Sequence, residues 1–397
     1  MCRPGRILLA IVAGLSIAGM AGGQSDSVTF DEAWANVTAQ FDADLRRNRY
    51  VGGSLYFTRE GQVTGAHHFG HQTLEPRRAV DENTIYHWAS ITKTFTAIGI
   101  MQLRDRGLLD LDHAVTAYIP VFDQAHNPYG DMSDVTIRHL MTHTSGLRVP
   151  TFPWGGTEEW HPHEPSDWSQ WDAMLPYTKL HFAPGSSYSY SNPGTSLLGR
   201  IIERITGDDI EVYIDKNILR PLAMHDSYFD ITPWHLKAFR SDNFTVEGEQ
   251  VTSNGIDFDT GMTTGNGGLN GPVGDMVKYV NFLLGAGDSE RHEQVLSRAS
   301  LEEMWEPLHV HEEFDELTEY MATTFFVIDY RAGPSSQRFV GHTGGQKAFQ
   351  AFLYIHPPSK SAAIMAVNSR TASMERDLYN DTRLNLFRGA FATEAGP

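Results

Sequence analysis

A serine and a lysine three residues apart are the first feature of this sequence with evident chemical potential. The stretch Ser90 to Lys93 is the sole Ser-x-x-Lys in the chain, and a helical pattern of apolar residues follows it. Side chains three apart share a helix face, so the Lys93 ammonium can reach the Ser90 hydroxyl. The helix dipole favours the alkoxide that then develops. The spacing predicts a nucleophilic serine, with a simple helix N-cap as the alternative.

A tyrosine and an asparagine form the second feature, Tyr190-Ser191-Asn192, just before another helical pattern. Ammonium groups beside a phenol stabilise the phenolate, which can then accept the serine proton. Asn192 offers an amide donor and an acceptor to a substrate. The alternative is packing, because the same triplet recurs from Tyr279 to Asn281 inside an apolar helix pattern.

The third feature is His342-Thr343-Gly344-Gly345, between two predicted strands. Two glycines let a ligand approach the backbone closely, although a plain turn explains them equally well. The N–H groups of Gly345 and Ser90 are candidates for a two-donor oxyanion hole. An imidazole titrates near pH 6.5, so His342 is expected to attract a substrate carboxylate more strongly as the pH falls.

The elements that position these motifs follow from the hydrophobic pattern. The capping box from Thr29 to Glu32 starts a first helix that runs to about residue 47. A hairpin pattern follows at 53–58 and 63–69, and strands return only near the end of the chain. Those late strands are predicted at 324–330, 338–340, 349–355 and 362–368, before a closing helix from about residue 373.

The predicted sheet is therefore built from both ends of the chain, about 27–82 and 318–397, while 83–317 reads as helical and loop-rich. This pattern predicts an α/β (α+β) fold in one unit over 24–397. An antiparallel sheet is flanked by terminal helices and carries an inserted helical lobe.

The first 23 residues are set apart as a secretory signal peptide. Arg3 and Arg6 precede an apolar run at 7–18, and small residues allow cleavage near 21–23. The run is shorter than the roughly 20 residues a membrane span needs, so no stable anchor is expected after cleavage. A secreted or periplasmic protein is expected. Cleavage removes Cys2, the sole cysteine, which excludes a cysteine nucleophile and a thiolate zinc site from the mature chain.

The amino-acid composition limits the kinds of molecule that the protein is expected to bind. The chain has 397 residues, 41% of them apolar, and a formal net charge of −18 without a Lys/Arg-rich run. This balance predicts a folded core and argues against nucleic acid or an anionic lipid surface as partners.

Two groups of histidines are weak candidates for a metal site. One is the run 161–164 (His-Pro-His-Glu). The other is the pair His67 and His68, whose side chains point to opposite faces of a predicted strand, which argues against joint ligation. No metal or cofactor is expected.

Half of the eight tryptophans fall in the stretch 149–177. If these side chains are exposed, they form an apolar rim beside Tyr190. If they are buried, they pack against the helical lobe. The four residues are Trp154, Trp160, Trp168 and Trp171.

In this order the three motifs resemble those of the penicillin-recognising serine hydrolases, which include class C β-lactamases and D-Ala-D-Ala carboxypeptidases. That family carries Ser-x-x-Lys, then Tyr-x-Asn, then Lys- or His-Thr-Gly. The stretches 138–147, 182–185 and 267–269 are similar to the family as well, and the resemblance extends over roughly 30–390. It implies a β-lactamase/transpeptidase-like fold with the site between sheet and lobe.

The resemblance also implies roles for the motif residues. Ser90 would be the nucleophile, Lys93 and Tyr190 the proton-transfer pair, and Asn192 a contact of the substrate amide. The third motif would hold the substrate carboxylate and the oxyanion: His342, Thr343 and Gly344 as substrate contacts, Ser90 and Gly345 through their backbone N–H groups. Acylation of Ser90 and hydrolysis by water would follow.

His342 bears on the substrate, because most β-lactamases of this type have lysine there. A mostly neutral imidazole attracts a carboxylate less than a permanent ammonium does. The resemblance therefore favours hydrolysis of small-molecule esters, amides or D-amino-acid peptides. A true β-lactamase is one alternative. A penicillin-binding or peptidoglycan-sensing module that acylates without turnover is another.

Overall fold

The structure, a computed structural model, describes residues 28–147, 165–314, 316–332, 335–371 and 375–393. The predicted signal peptide, Trp154, Trp160 and the run 161–164 lie outside the described residues.

Fifteen strands, counted over the described ranges, alternate with helices along the chain. They are β1 Gly52–Arg59, β2 Gln62–Leu74, β3 Arg77–Ala79, β4 Ile85–His87, β5 Tyr228–Phe229, β6 Phe244–Glu247, β7 Gln250–Ser253, β8 Leu269–Pro272, β9 His309–Phe314, β10 Leu317–Met321, β11 Phe326–Ala332, β12 Ser335–Gln346, β13 Phe349–His356, β14 Ser361–Val367 and β15 Ser369–Thr371.

The helices of the same ranges are long at the chain ends and next to the sheet. They are α1 Phe30–Arg47, α2 Thr92–Asp105, α3 Ile137–Met141, α4 Trp168–Met174, α5 Asn192–Thr206, α6 Ile210–Ile214, α7 Thr264–Gly267, α8 Val273–Leu284, α9 Ser289–Val295, α10 Arg298–Glu303 and α11 Glu375–Arg388.

The main sheet joins the two ends of the chain, as predicted. Its strand order in the described part of the chain is β3-β2-β1-β14-β13-β12-β11-β10-β9, with antiparallel neighbours throughout. Strand β1 pairs with β14, so that Gly53 lies opposite Val367. The predicted antiparallel sheet with terminal helices is confirmed.

Successive side chains of a strand point to opposite faces of the sheet, and each face borders a separate hydrophobic core. Leu55 and Phe57 of β1 pack with helices α1 and α11 on one face, while Tyr56 between them faces the helical lobe. The capping box at the start of α1 is present as predicted, with Thr29 and Glu32 each accepting the other's backbone N–H. On the lobe face, helix α8 contacts β1, β13 and β14, and residues of α2 and α5 belong to the same core.

The lobe and the end of the sheet contain strands that the pattern did not predict. Strand β9 and strand β10 belong to the main sheet ahead of residue 324, so the expected boundary at 318 falls inside the sheet. Strand β9 (His-Val-His-Glu-Glu-Phe) lies at the edge and is only partly buried, so its hydrophobic alternation is weak. Two small sheets, β15-β6-β7 and β4-β8-β5, add further short strands.

Two features are absent from the described residues. No helix there is both long and apolar enough to cross a bilayer. No group of three or more His, Cys, Asp or Glu side chains there is arranged to hold a metal ion.

Candidate active site

Ser90 lies in a tight turn between strand β4 and helix α2. The turn spans Ala89–Ile91, and Trp88 before it is fully buried with its indole N–H donated to the Gly271 carbonyl at 3.0 Å. Ala89 has a φ of 47°, in the left-handed region that non-glycine residues rarely adopt. This strained turn positions Ser90 just before the N-terminus of α2.

Lys93 is held against Ser90, as the spacing predicted. Its ammonium donates to Ser90 Oγ at 2.9 Å and to the Asn266 carbonyl at 2.9 Å. The side chain is fully buried, and this desolvation lowers the pKa of Lys93 to about 7. Ile91, rather than Ser90, is the N-cap residue of α2, so the alternative of Ser90 as a helix cap does not hold.

Tyr190 approaches the same serine from the other side. It directly precedes Ser191, the extended N-cap residue of α5, whose side chain caps the helix by accepting the Gly194 N–H at 3.0 Å. Its phenol interacts with Ser90 closely enough to influence the pKa of Tyr190, and the Lys93 nitrogen lies 5.1 Å from its ring centroid. The structure thus brings Ser90, Lys93 and Tyr190 together.

The protonation of this pair differs from the sequence prediction of a Tyr190 phenolate. Burial raises the pKa of Tyr190 above its ordinary value, an effect larger than the opposing one of the Ser90 hydrogen bond. The pKa of Lys93 is lowered at the same time. Because both shifts come from desolvation, the phenol keeps its proton near neutral pH while a large fraction of Lys93 is uncharged.

Asn192 is the first residue of α5, and its position depends on a residue that the sequence analysis missed. The side-chain amide of Asn266 donates to the backbone carbonyl of Asn192 at 3.3 Å and to Ser196 Oγ at 2.7 Å. The backbone carbonyl of Asn266 accepts a hydrogen bond from Lys93. Asn266 therefore joins the lysine to the Asn192 segment. The glycines flanking it in 265–268 were the available signal.

Strand β12 brings the third motif to Ser90. Its ladder with β11 ends at the pair Phe326 and Gly341, whereas its pairing with β13 continues to Gln346. A Cβ on Gly344 would lie 2.2 Å from the Trp88 carbonyl oxygen, so only glycine allows this approach. The segment after Gly341 thus lies beside the Ser90 turn, with Thr343 half-buried and Gly345 exposed.

His342 is not the solvent-facing imidazole that the sequence prediction required. Its side chain is 1% exposed and packs with its ring centroid 4.6 Å from that of Phe326 and 6.3 Å from that of Tyr190. Burial and, secondarily, the charge of Lys93 lower the pKa of His342 to about 3. The predicted titration near pH 6.5 is wrong, because the ring stays neutral throughout that range.

Two buried polar atoms at the site are able to accept hydrogen bonds from a ligand. His342 Nδ1 donates to the Thr343 carbonyl, so His342 Nε2 is a bare acceptor. That atom and Asn192 Oδ1 are buried and have no hydrogen-bond partner among the described residues. Two buried acceptors therefore await donors from a bound molecule or water.

The tryptophans of the stretch 149–177 that are described take two positions. Trp171 is 3% exposed and stacks on Phe122 with ring centroids 6.3 Å apart. Trp168 is half-buried, with the Arg200 guanidinium 5.0 Å from its ring centroid. For Trp171 the packing alternative holds.

His143 is a second residue whose role the sequence analysis missed, although it lies within the stretch 138–147. It is fully buried, and its ring stacks on that of Tyr190 with centroids 4.6 Å apart and planes 22° apart. Nothing in its local pattern signals this contact, because the partners lie more than 40 residues further along the chain.

Comparisons with known proteins give a family match and individual relatives. The family model described as Beta-lactamase matches residues 34–386. Among curated proteins, esterase EstB of Burkholderia gladioli is 33% identical over 202 residues, which cover 49% of this chain and 51% of EstB. The chain thus spans about half the length of that relative.

Solved structures share the fold over most of the chain. The octameric penicillin-binding protein homologue from Pyrococcus abyssi has a TM-score of 0.72 at 25% identity, covering 88% of this chain and 77% of its own. A class C beta-lactamase has a TM-score of 0.71 at 20% identity, covering 92% of this chain and 98% of its own. The latter likeness concerns the fold alone.

Proposed function

The chain belongs to the Beta-lactamase family, and from this premise we propose that it is a serine hydrolase that forms an acyl-enzyme at Ser90. The observation that carries the proposal is that Lys93 hydrogen-bonds Ser90 Oγ at 2.9 Å while the Tyr190 phenol interacts with the same hydroxyl. A hydroxyl held between a lysine of lowered pKa and a neutral phenol is equipped for nucleophilic attack.

In the acylation step, Ser90 Oγ attacks the carbonyl carbon of the substrate. Its proton passes to uncharged Lys93, which the 2.9 Å hydrogen bond already joins to it. The Tyr190 phenol then donates its proton to the leaving alcohol or amine and recovers one from the Lys93 ammonium. Deacylation runs the same proton transfers with water as the nucleophile, which releases the acid.

The oxyanion of the tetrahedral intermediate would be held by the backbone N–H groups of Ser90 and Gly345. The close approach of Gly344 to the Trp88 carbonyl supports this assignment, since it brings the strand segment beside the Ser90 turn. Two such donors stabilise the charge that develops on the former carbonyl oxygen.

The substrates best supported are esters without a carboxylate next to the third motif. A buried, neutral His342 supplies no fixed positive charge, unlike a lysine at that position. The unpartnered Asn192 Oδ1 favours a second candidate, amides including D-amino-acid peptides, because it can accept a substrate N–H. Hydrolysis of β-lactams and acylation without turnover are the outcomes that an assay must separate from these.

The test combines intact-mass measurement with turnover on three substrates: a short-chain aryl ester, a D-Ala-D-Ala peptide and a chromogenic cephalosporin. We expect steady turnover of the ester, slower turnover of the peptide, and the least turnover of the cephalosporin. A stable acyl adduct without turnover on any substrate would contradict the hydrolase proposal and support the sensing module.

We also propose that the protein is exported, to the periplasm or the medium. The support is the pattern of residues 1–23, two arginines followed by an apolar run and small residues. N-terminal sequencing of the protein from the extracellular and periplasmic fractions tests this. A new N-terminus near residues 22–24 is expected, whereas an intact Met1 in the cell interior contradicts export.

A further inference from the structure

We propose that His143 is a positioning residue for Tyr190: its neutral imidazole and its carbonyl hold the tyrosine by three contacts that point the phenol at Ser90. This inference rests on the proposed function, because it assigns a purpose to the placement of Tyr190. His143 itself does not contact Ser90 in any hydrogen bond of the described residues.

The first two contacts fix the backbone on either side of the tyrosine. The Ser189 N–H donates to the His143 carbonyl at 3.0 Å. The Ser191 N–H donates to His143 Nδ1 at 3.0 Å. One residue thus holds both neighbours of Tyr190, which leaves the tyrosine backbone little freedom to shift.

The third contact fixes the ring. The imidazole of His143 and the phenol ring of Tyr190 stack with centroids 4.6 Å apart, and Phe326 lies parallel to the phenol ring at 6.3 Å. Contact with the face of the His143 imidazole hinders both tilting of the phenol ring and its rotation out of the stacked orientation. The hydroxyl therefore remains directed at Ser90.

These three contacts of His143, here called the clamp, require a neutral imidazole with its proton on Nε2. Because a backbone N–H donates to Nδ1, that atom must carry a lone pair, and the proton is on Nε2. Burial, together with the charge of Lys93 nearby, lowers the pKa of His143 well below its ordinary value. The neutral form that the clamp needs is therefore the one present at physiological pH.

The backbone of His143 is itself strained to make these contacts. Its φ is 56°, in the left-handed region, and its own N–H donates to the Leu140 carbonyl at 3.3 Å. A residue that holds a costly backbone conformation at a buried position next to a reactive group is typical of sites where strain serves function. The conformation also guides the test, because asparagine adopts it readily.

The decisive experiment is a double-mutant cycle between His143→Asn and Tyr190→Phe, measured with a short-chain aryl ester. Asparagine tolerates the backbone and offers an acceptor near the Nδ1 position, but it lacks the ring face. We expect His143→Asn to lower kcat by about 10- to 100-fold, the cost of a misplaced catalytic group, with KM changed by less than about threefold. In the Tyr190→Phe background the same change should cost less than about threefold.

The two proposals fail differently in this cycle. A His143→Asn loss that persists at full size in the Tyr190→Phe background overturns the positioning role alone and makes His143 a general structural residue. Unchanged turnover in Tyr190→Phe by itself overturns the proposed role of Tyr190 and the positioning role with it. His356→Asn is the matched control, since His356 is also buried and hydrogen-bonded through Nδ1, to Ser359 at 2.7 Å; its kcat should be unchanged.

Two further measurements keep the inference testable if His143→Asn does not fold. His143→Phe retains a ring against Tyr190 but removes the acceptor of the Ser191 N–H, and a loss of kcat that again vanishes with Tyr190→Phe supports the clamp. In the parent protein, nitrogen-15 NMR of the His143 ring should give a protonated Nε2 and a bare Nδ1 from pH 5 to pH 8. An imidazolium in that range would overturn it.

Discussion

The two ends of the candidate site contrast in how their polar groups are paired. At the Ser90 end, the Lys93 ammonium hydrogen-bonds the serine hydroxyl, and the Tyr190 phenol interacts with the same hydroxyl. At the His342 end, the imidazole is buried against Phe326 and its Nε2 has no partner among the described residues. In the first region the pKa values of two partners have moved apart, that of Lys93 downward and that of Tyr190 upward, while the second region holds a group that has lost its charge.

The difference indicates that the Ser90 end carries out proton transfer and the His342 end recognises the substrate. Groups that exchange protons must be joined before the substrate arrives, because reorganisation during the reaction would add to the barrier. Groups that only bind a substrate can lack hydrogen-bond partners in the free protein, because the substrate supplies those partners when it binds. Substitutions at the Ser90 end should therefore change the chemical step, and those at the His342 end should change the choice of substrate.

Ser90→Ala tests the comparison with the largest expected effect. Loss of the nucleophile should reduce turnover of every substrate by about 1,000-fold or more and abolish labelling by fluorophosphonate or penicillin probes. Circular dichroism and thermal unfolding should change little, and Ser187→Ala, at an exposed serine, is the control. Labelling retained at another serine would show that the Ser90 end is not the reactive one.

Tyr190→Phe should cost about 100-fold in kcat with the aryl ester, the usual scale of general acid–base catalysis. Tyr279 provides the control from the second Tyr-x-Asn triplet. It is buried in α8, donates to Thr94 Oγ1 at 2.7 Å and stacks on Phe95 with centroids 4.0 Å apart. Tyr279→Phe should lower stability by about 1 kcal/mol and leave kcat unchanged. If these outcomes are reversed, the wrong tyrosine has been assigned.

The titration of Lys93 should change kcat/KM by about tenfold, which tests the role of the Ser90 end through its dependence on pH. A proton acceptor works only when uncharged, so with a pKa of about 7, kcat/KM for a neutral ester should rise about tenfold from pH 6 to pH 8. We attribute the rise to Lys93, because the neighbouring His143 and His342 stay neutral and Tyr190 stays protonated across this range. A rate independent of pH over the same interval would argue against an uncharged lysine as the acceptor.

The smallest effect is expected at the His342 end. The ratio of kcat/KM for an anionic peptide to that for a neutral ester should stay within about twofold from pH 5.5 to pH 7.5, because the imidazole does not become charged there. Taking the ratio cancels the titration of Lys93. His342→Asn, which is neutral at every pH, should show the same flat profile. A ratio that rises steeply toward pH 5.5 in the parent but not in this variant would show that His342 does read a carboxylate.

Much of the sheet and the reactive cluster was predictable because the signals are local. The strands of 53–58 and 349–355 alternate or run apolar over their whole length, and both are present in β1 and β13. The three-residue spacing of Ser90 and Lys93 on a helical pattern is enough to predict their contact. Such features depend on neighbours in sequence, which the sequence shows directly.

The protonation states and supporting contacts were not predictable, because they depend on distant neighbours. The pKa of His342 is set by burial against Phe326 and Tyr190, neither of which is signalled by the motif that contains it. The contact of His143 with Tyr190 joins residues 47 positions apart through hydrogen bonds to Ser189 and Ser191. Strand β9 escaped prediction for a related reason, since an edge strand needs little apolar alternation.

The pairing of the first strand with one of the last has a consequence for how the molecule is made. Strands β1 and β14 meet although about 300 residues separate them, with Arg59 opposite Ser361. Pairing so distant in sequence requires closure of a very long loop, and such topologies fold slowly. A β1–β2 hairpin without β14 would leave the β1 edge unpaired, and an open strand edge can pair with another chain. The last strands of the chain therefore protect an edge that the first strands create.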